Sequence, residues 1–461
     1  MTKNCVVRGS FTAILLALSQ FIPISQGDAK QVKLDVALAN PTMLVGEDAK
    51  KENYLRIGIT GFELPSDKQR LPVNVAIVID KSGSMQGEKI EQARKAAIQA
   101  IDRLRDSDIV SVVTYDSSVN VLVPATKASD RETIRKQIAS IAAGGNTALF
   151  AGVSKAAGEI RKFLDDKHVN RVILLSDGLA NVGPASPAEL EQLGESLIKE
   201  GISVSTMGLG LGYNEDLMTR LALASSGNHV FIEDAENLVQ VFQNEFDDVL
   251  SVVAQKLNIN AKLAEGIRPV KVLNYPANIT GQFVSLDLGQ LYSRQERYFV
   301  LEVEIAPGEN GSNRPVASVE LEYMNMYTES QDKLTSTVQV KFTDSPELAE
   351  RDVDKQVAAS CVIQIANERN TRATALRDAG KIEEARGLLM DNAAFLNSNY
   401  LKFGVSELKL RCEINGDQAA NLDSGAWAEN RKLMRQQQFQ DLNQQRYKGD
   451  GTKSDFDKSK P

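Results

Sequence analysis

The chain of 461 residues is poor in the side chains on which most zinc and triad-type catalytic sites depend. It contains two histidines, three cysteines and one tryptophan. Two histidines leave little material for a histidine-rich zinc site or a histidine-dependent triad. The motifs H-E-x-x-H, G-x-S-x-G and G-x-x-x-x-G-K-[ST] are also missing from the sequence. We therefore predict that the protein is not an enzyme. A metal-dependent hydrolase would need a water-activating base, for which the sequence offers no good candidate.

Basic stripes and long apolar runs are scarce as well. The formal net charge is −8, which argues against nucleic acid and anionic membranes as partners. One apolar run, Phe11 to Leu18, follows Lys3 and Arg8, and it is shorter than the roughly 20 residues of a spanning helix. We predict a secretory signal peptide over residues 1–27 and a periplasmic or secreted protein, with an uncleaved anchor as the alternative. No transmembrane segment is predicted beyond this signal.

Removal of the signal peptide would leave two cysteines, Cys361 and Cys412. In an oxidising compartment these thiols could form one disulfide. They could equally be two separate buried thiols, since nothing in the sequence fixes the distance between them. Both alternatives stay open on sequence grounds.

Hydrophobic periodicity divides the chain into successive β, α/β, β and helical segments. The segment 73–253 alternates apolar strands with amphipathic helices, which predicts an α/β fold with a doubly wound, mostly parallel sheet. Strands with one buried face are predicted on either side of it, over 28–72 and 254–345. A helical region is predicted over 346–446, and a disordered tail over 447–461. Because two lone strands are scarcely stable, we predict one β-sandwich into which the α/β unit is inserted. A separate N-terminal hairpin is the alternative.

The predicted strands of the α/β unit are Val73–Ile79, Ile109–Tyr115, Val119–Val123, Arg171–Ser176, Ile202–Leu209 and His229–Ile232.

Polar side chains gather where the first of these strands ends. Asp80, Ser82 and Ser84 follow the apolar run directly, and a helical period begins at Ile90. One carboxylate and two hydroxyls at alternate positions of a tight loop can point inward together. Mg²⁺ favours such oxygen ligands, in octahedral geometry at roughly 2.0–2.1 Å. The same residues could also be ordinary helix caps.

This D-x-S-x-S loop resembles the metal-ion-dependent adhesion site of von Willebrand factor A domains. Two further parts of that pattern are present in order: Thr147 in a Gly-Gly-Asn-Thr sequence before a helix, and Asp177 in a Leu-Leu-Ser-Asp-Gly sequence after a strand. The resemblance implies metal ligation by Asp80, Ser82, Ser84, Thr147 and Asp177. It also implies Mg²⁺, with Mn²⁺ or Ca²⁺ as alternatives, and an Asp or Glu carboxylate from a protein partner on the ion. Helix capping and a plain turn are the structural alternatives for Thr147 and Asp177.

The order of segments over the whole chain is similar to that of secreted bacterial A-domain proteins and of inter-alpha-trypsin inhibitor heavy chains. The resemblance implies a secreted or periplasmic, metal-dependent protein-binding module. The alternative function is a scaffold that acts through the helical region and carries a vestigial metal site.

Overall fold

The computed structural model of the protein describes residues 30–46, 51–64, 70–423, 425 and 427–445. The predicted signal peptide and the predicted disordered tail lie outside these residues. None of the described helices is both long and apolar enough to span a bilayer.

In the described part of the chain, three strands precede the α/β unit: β1 (Lys33–Leu38), β2 (Thr42–Leu44) and β3 (Glu52–Thr60). The α/β unit itself follows directly. Its elements are β4 (Val73–Asp80), α1 (Glu88–Arg103), β5 (Ile109–Tyr115), β6 (Val119–Lys127), α2 (Arg131–Ala139), α3 (Leu149–Ile160), β7 (Val169–Ser176), α4 (Pro187–Lys199), β8 (Ile202–Leu209), α5 (Glu215–Ala224), β9 (His229–Ile232) and α6 (Leu238–Leu250).

The sheet of the α/β unit has the strand order β6-β5-β4-β7-β8-β9. Only β6 runs antiparallel to its neighbour, so the predicted doubly wound, mostly parallel sheet is confirmed. Every residue of β4, β5, β7 and β8 is buried, because helices cover both faces of the sheet. The chain leaves β4 toward β5 on one side and later continues from β7 on the other. The loops after β4 and β7 therefore diverge at a topological switch point, where ligands of such sheets bind.

Seven strands follow the α/β unit among the described residues. They are β10 (Val252–Leu263), β11 (Ile267–Val272), β12 (Asn278–Thr280), β13 (Phe283–Tyr292), β14 (Glu296–Ile305), β15 (Asn313–Asn325) and β16 (Ser330–Thr343).

These later strands share two sheets with the N-terminal ones. The sheets have the orders β1-β3-β14-β11 and β12-β13-β10-β15-β16-β2. One apolar core lies between them, to which Ile57 of β3 and Ile259 of β10 both belong. The strands before the α/β unit are therefore part of one β-sandwich, as predicted, and do not form a separate hairpin.

Five helices complete the described chain: α7 (Pro346–Arg351), α8 (Lys355–Asp378), α9 (Ile382–Phe403), α10 (Ser406–Ala420) and α11 (Trp427–Asn443). The helical C-terminal region is thus confirmed. Cys361 in α8 and Cys412 in α10 are both free thiols, so the alternative without a disulfide is the one observed.

Helix α11 and the residue just after it contact both preceding units through amide side chains. The Oε1 atom of Gln436 accepts a hydrogen bond of 2.6 Å from the backbone N–H of Phe231 in the edge strand β9. The Oε1 atom of Gln444, just beyond the helix, accepts one of 3.0 Å from the backbone N–H of Tyr298 in β14. These bonds satisfy backbone donors that would otherwise lack partners. The C-terminal helix therefore joins the sheet of the α/β unit to the sandwich.

Candidate metal centre

Asp80 is the last residue of β4 and is fully buried. Its Oδ1 atom accepts a hydrogen bond of 2.8 Å from the backbone N–H of Ser82. Its Oδ2 atom accepts bonds from the hydroxyls of Ser176, at 2.7 Å, and Tyr115, at 3.3 Å. Burial raises the pKa of Asp80; the bonds from Ser176 and Ser82 oppose this rise, and the charge of Asp177 adds to it. The carboxylate is therefore held in one orientation before any ligand arrives.

The hydroxyls and the second carboxylate of the predicted site lie around the same point. The Oγ atoms of Ser82 and Ser84 are 3.1 Å apart, and Ser84 donates a hydrogen bond of 2.7 Å to Oδ1 of Asp177. A Cβ atom on Gly178 would lie 3.0 Å from Oγ1 of Thr147 and 3.6 Å from Oγ of Ser84. Glycine at this position keeps the space between the two hydroxyls free. The structure thus brings all five sequence-predicted side chains together.

Backbone hydrogen bonds join the three loops that carry these side chains. The N–H of Gly83 donates to the carbonyl of Gly145 at 3.0 Å. Thr147 donates its N–H to Oδ1 of Asn181 at 2.9 Å, and its carbonyl accepts the N–H of Asn181 at 3.1 Å. Gly145 has φ +86°, a conformation that favours glycine. The site is therefore built on loops that are fixed to one another.

The donor set fits a hard divalent cation. Two carboxylates and three hydroxyls offer only oxygen atoms, which Mg²⁺, Mn²⁺ and Ca²⁺ prefer. Thr147 is a buried residue, and no hydrogen bond joins its hydroxyl to another described residue. Among the described residues, no three His, Cys, Asp or Glu side chains gather into a possible metal cluster. The negative charge of the protein at this site thus comes from two carboxylates, which neutralise a divalent ion and leave coordination positions for other ligands.

Lys89, in the first turn of α1, is a participant that the sequence did not reveal. Its ammonium forms an ion pair with Oδ2 of the buried Asp177. Ser176 and Tyr115 were also not predicted from the sequence, although the strand register places both beside Asp80. Asp80 lies opposite Tyr115 of β5, and the residues just before Asp80 and Ser176, Ile79 and Leu175, lie opposite each other. No comparable signal exists for Lys89, because its reach to Asp177 depends on how α1 packs on the sheet.

A protein-family model matches the part of the chain that carries this site. Residues 74–245 match the model of the von Willebrand factor type A domain. The match begins in β4 and ends in α6, so it includes all three loops of the site. The chain contains a von Willebrand factor type A domain. This domain is the α/β unit described above, and the resemblance of that unit to A domains is confirmed.

Curated relatives extend the likeness to different extents. An uncharacterised protein of Synechocystis is 25% identical over 359 residues, which cover 74% of this chain and 82% of that protein. An uncharacterised protein of Escherichia coli is 29% identical over 45% of this chain and 36% of its own length. Human inter-alpha-trypsin inhibitor heavy chain H3 is 28% identical over 41% of this chain and 23% of its own length. The chain therefore spans less than half of the last two relatives, which share chiefly a segment of A-domain size.

Solved structures share the fold beyond the A domain. A von Willebrand factor type A protein from Catenulispora acidiphila has a TM-score of 0.67 and 18% identity, covering 84% of this chain and 90% of that one. The ArnB paralog VWA2 from Sulfolobus acidocaldarius has a TM-score of 0.61 and 18% identity, covering 91% and 100%. At this level of identity, the likeness establishes architecture only.

Proposed function

We propose that the A domain binds a divalent cation through Asp80, Ser82, Ser84, Thr147 and Asp177, and that the bound ion takes an Asp or Glu carboxylate from a protein partner. Mg²⁺ is the proposed ion, with Mn²⁺ or Ca²⁺ as alternatives. Von Willebrand factor A domains often mediate metal-dependent protein interactions. The observation that carries the proposal is the convergence of these hydroxyls and carboxylates: Ser84 contacts both Ser82 and Asp177, and Thr147 adjoins Ser84 across Gly178.

Charge favours an acidic ligand at this site. When bound, the ion would act as a Lewis acid for an incoming carboxylate. The charges of Asp80 and Asp177 would balance the ion, and the ammonium of Lys89 beside Asp177 would leave the site net positive. Helix α3 begins two residues after Thr147, and its N-terminus also favours an anion. Burial of both carboxylates strengthens these interactions, because less water screens them.

We also propose that the protein is not an enzyme and acts in the periplasm or outside the cell. Neither histidine is placed to serve the site as a base. His168 precedes β7, at the opposite end of the sheet, and is bonded to Asp165. His229 is fully buried and is bonded to Thr206. The location rests on the signal-like sequence over residues 1–27.

The scaffold alternative finds less support from the helical region. The side chains of α11 are engaged within the chain: the ammonium of Lys432 donates to the carbonyl of Tyr213 at 2.7 Å and is buried. Deleting residues 346–461 would remove these contacts, expose the surface of the A domain that they cover, and so disturb the A domain itself. A partner-binding test of that alternative therefore needs point variants on exposed helix positions, such as Leu401 in α9.

Calorimetric titration of Mg²⁺ into the purified protein, in the presence of glutamate, tests the proposal. Thr147→Val is the sharpest variant, since it removes an oxygen without breaking any hydrogen bond made by the side chain. We expect it to weaken Mg²⁺ binding by about tenfold or more and Asp80→Ala to abolish binding. Thr126→Val, on the exposed edge strand β6, is the matched control and should bind as the wild type does. Equal binding by all four proteins, or no binding by the wild type, would contradict the proposal.

A further inference from the structure

Two exposed leucines stand beside the candidate metal centre. Leu179 is 58% exposed and Leu211 is 52% exposed. Leu179 lies in the loop that follows β7, and Leu211 lies in the loop that follows β8. Those strands are parallel neighbours whose paired ends are Ser176 and Gly208. Both leucines therefore lie at the carboxyl end of the sheet, where the five oxygen-bearing side chains gather.

Close contacts fix the loop of Leu211 against the site. A Cβ atom on Gly212 would lie 2.7 Å from the carbonyl oxygen of Asp177, and one on Gly210 would lie 3.7 Å from Nζ of Lys89. Gly210 also has φ +70°, which favours glycine. Leu211 therefore lies between two glycines, one close to the backbone of Asp177 and the other near the ammonium of Lys89.

Leu179 is positioned in the same way on the other side. It follows Gly178, whose Cβ would meet the hydroxyl of Thr147 at 3.0 Å. Two residues further on, the side chain of Asn181 accepts the backbone N–H of Thr147. The loop thus lies against the site just before Leu179 and is hydrogen-bonded to it at Asn181, while the leucine side chain itself is exposed.

An exposed leucine contributes nothing to the core, and a polar residue would serve equally in either loop for folding alone. Scattered apolar side chains on a surface are ordinary. Here, however, two leucines border one charged site on loops whose backbone contacts hold them there. This pairing of a net positive centre with an apolar border has a defined complement: a carboxylate that has an apolar side chain next to it.

We propose that Leu179 and Leu211 form an apolar rim to the metal centre, and that the partner is a protein segment presenting an Asp or Glu with a large apolar residue within two positions of it. The carboxylate binds the ion, and the apolar side chain packs on the rim. This inference rests on the proposed function and specifies the partner of the same site.

Synthetic peptides test the rim without knowledge of the natural partner. The probes are nine-residue peptides with a central Asp, whose four nearest positions each carry Leu, Phe, Ser or Lys, together with matching peptides with a central Asn. Binding to the full chain is measured in Mg²⁺ and in EDTA. We expect Leu or Phe beside the Asp to bind about tenfold more tightly than Ser. The double variant Leu179→Ser/Leu211→Ser should lose this preference and keep its affinity for Mg²⁺.

Leu401→Ser provides the matched control, since Leu401 is an exposed leucine on α9, outside the A domain. It should bind every peptide as the wild type does. Equal binding of peptides with Leu and with Ser, or an unchanged preference in the double variant, would overturn the rim. Tight binding that persists in EDTA and in Asp80→Ala, or no binding of any peptide by the Mg²⁺-bound protein, would instead overturn the proposed function. The two failures are therefore distinguishable.

Discussion

Arg171 is the clearest place to test what holds the A domain on the sandwich. This β7 side chain is fully buried, and its guanidinium lies 3.5 Å from the equally buried carboxylate of Glu245 in α6. It donates hydrogen bonds to Ser205 at 2.6 Å and, across the interface, to the side chains of Gln290 and Tyr292 of β13, the latter at 2.8 Å. Methionine in its place would retain much of the volume and remove every one of these bonds.

The expected loss follows from the carboxylate left behind. Removing one partner of a buried ion pair costs about 3–5 kcal/mol, because the other charge stays buried without compensation. Arg171→Met should therefore lower the free energy of unfolding by about 3–5 kcal/mol. Replacing Arg171 and Glu245 together by methionine should cost less than the sum of the two single changes. Arg372→Met, at an exposed position of α8, is the matched control and should change stability by about 0.5 kcal/mol or less.

The pH dependence separates this account from a simple packing defect. Burial and the charge of Glu245 raise the pKa of Asp248 to about 8, and the positive charge of Arg171 opposes that rise. A carboxyl group whose pKa is higher in the folded state contributes stability that is complete below its unfolded pKa and is lost as pH rises through the folded one. Without Arg171 the folded pKa rises further, so the gap between wild type and Arg171→Met should widen from pH 7 to pH 9. Urea unfolding followed by circular dichroism measures it, and a gap that is constant or narrows would refute the reasoning.

Three further predictions concern single side chains. Burial and the charge of Lys432 lower the pKa of His229 to about 3, so this residue contributes stability above about pH 6.5 that is lost as pH falls toward 3. In urea unfolding, His229→Gln should lose less stability over that pH range than the wild type does, and an equal loss in both proteins would contradict this. Lys89→Met should raise Mg²⁺ affinity a few-fold in calorimetry, since the ammonium that competes with the ion for the carboxylate of Asp177 is gone. Weaker Mg²⁺ binding by the variant would contradict this competition. Thiol labelling of the native protein, mapped by mass spectrometry, should modify the half-buried Cys412 and spare the buried Cys361. Burial raises the pKa of the Cys361 thiol to about 12, and faster labelling of Cys361 than of Cys412 would contradict the packing of α8.

The sheet of the A domain was predictable because most of its strands are buried on both faces. Ile109–Tyr115, Ile202–Leu209 and His229–Ile232 have the observed bounds that the sequence predicts. Each is buried over its whole length and rich in apolar residues, which is the expected pattern for strands covered on both faces. Helix α2 (Arg131–Ala139) was not predicted, since only Ile134 and Ile138 mark its buried face, too few for a clear helical period.

The placement of α11 could not be predicted from hydrophobic periodicity. Its buried face consists largely of polar side chains, among them Lys432, Gln436 and Gln438. These side chains pack because each finds a specific partner, such as Asn370 and Thr374 for Gln438. Such partners depend on the tertiary structure, so a Gln-rich sequence gives no warning that it will be buried.

The candidate site, too, was predictable from the sequence only in part. Asp80, Thr147 and Asp177 were found because each follows a strand or opens a helix in the order of a known pattern. The ion pair of Lys89 and the apolar border of Leu179 and Leu211 depend on how neighbouring loops approach one another. These contacts became visible only once the sheet had brought the loops together.

The central claim is that an ion held by these five side chains accepts an external carboxylate. Crystals grown with Mn²⁺, standing in for Mg²⁺, and glutamate test it most directly through the anomalous scattering of the metal. The account predicts one anomalous peak among the side-chain oxygens of Asp80, Ser82, Ser84, Thr147 and Asp177, with a glutamate oxygen in direct coordination at about 2.1 Å. A well-ordered site with no peak, or a peak whose ligands exclude the glutamate carboxylate, would contradict it.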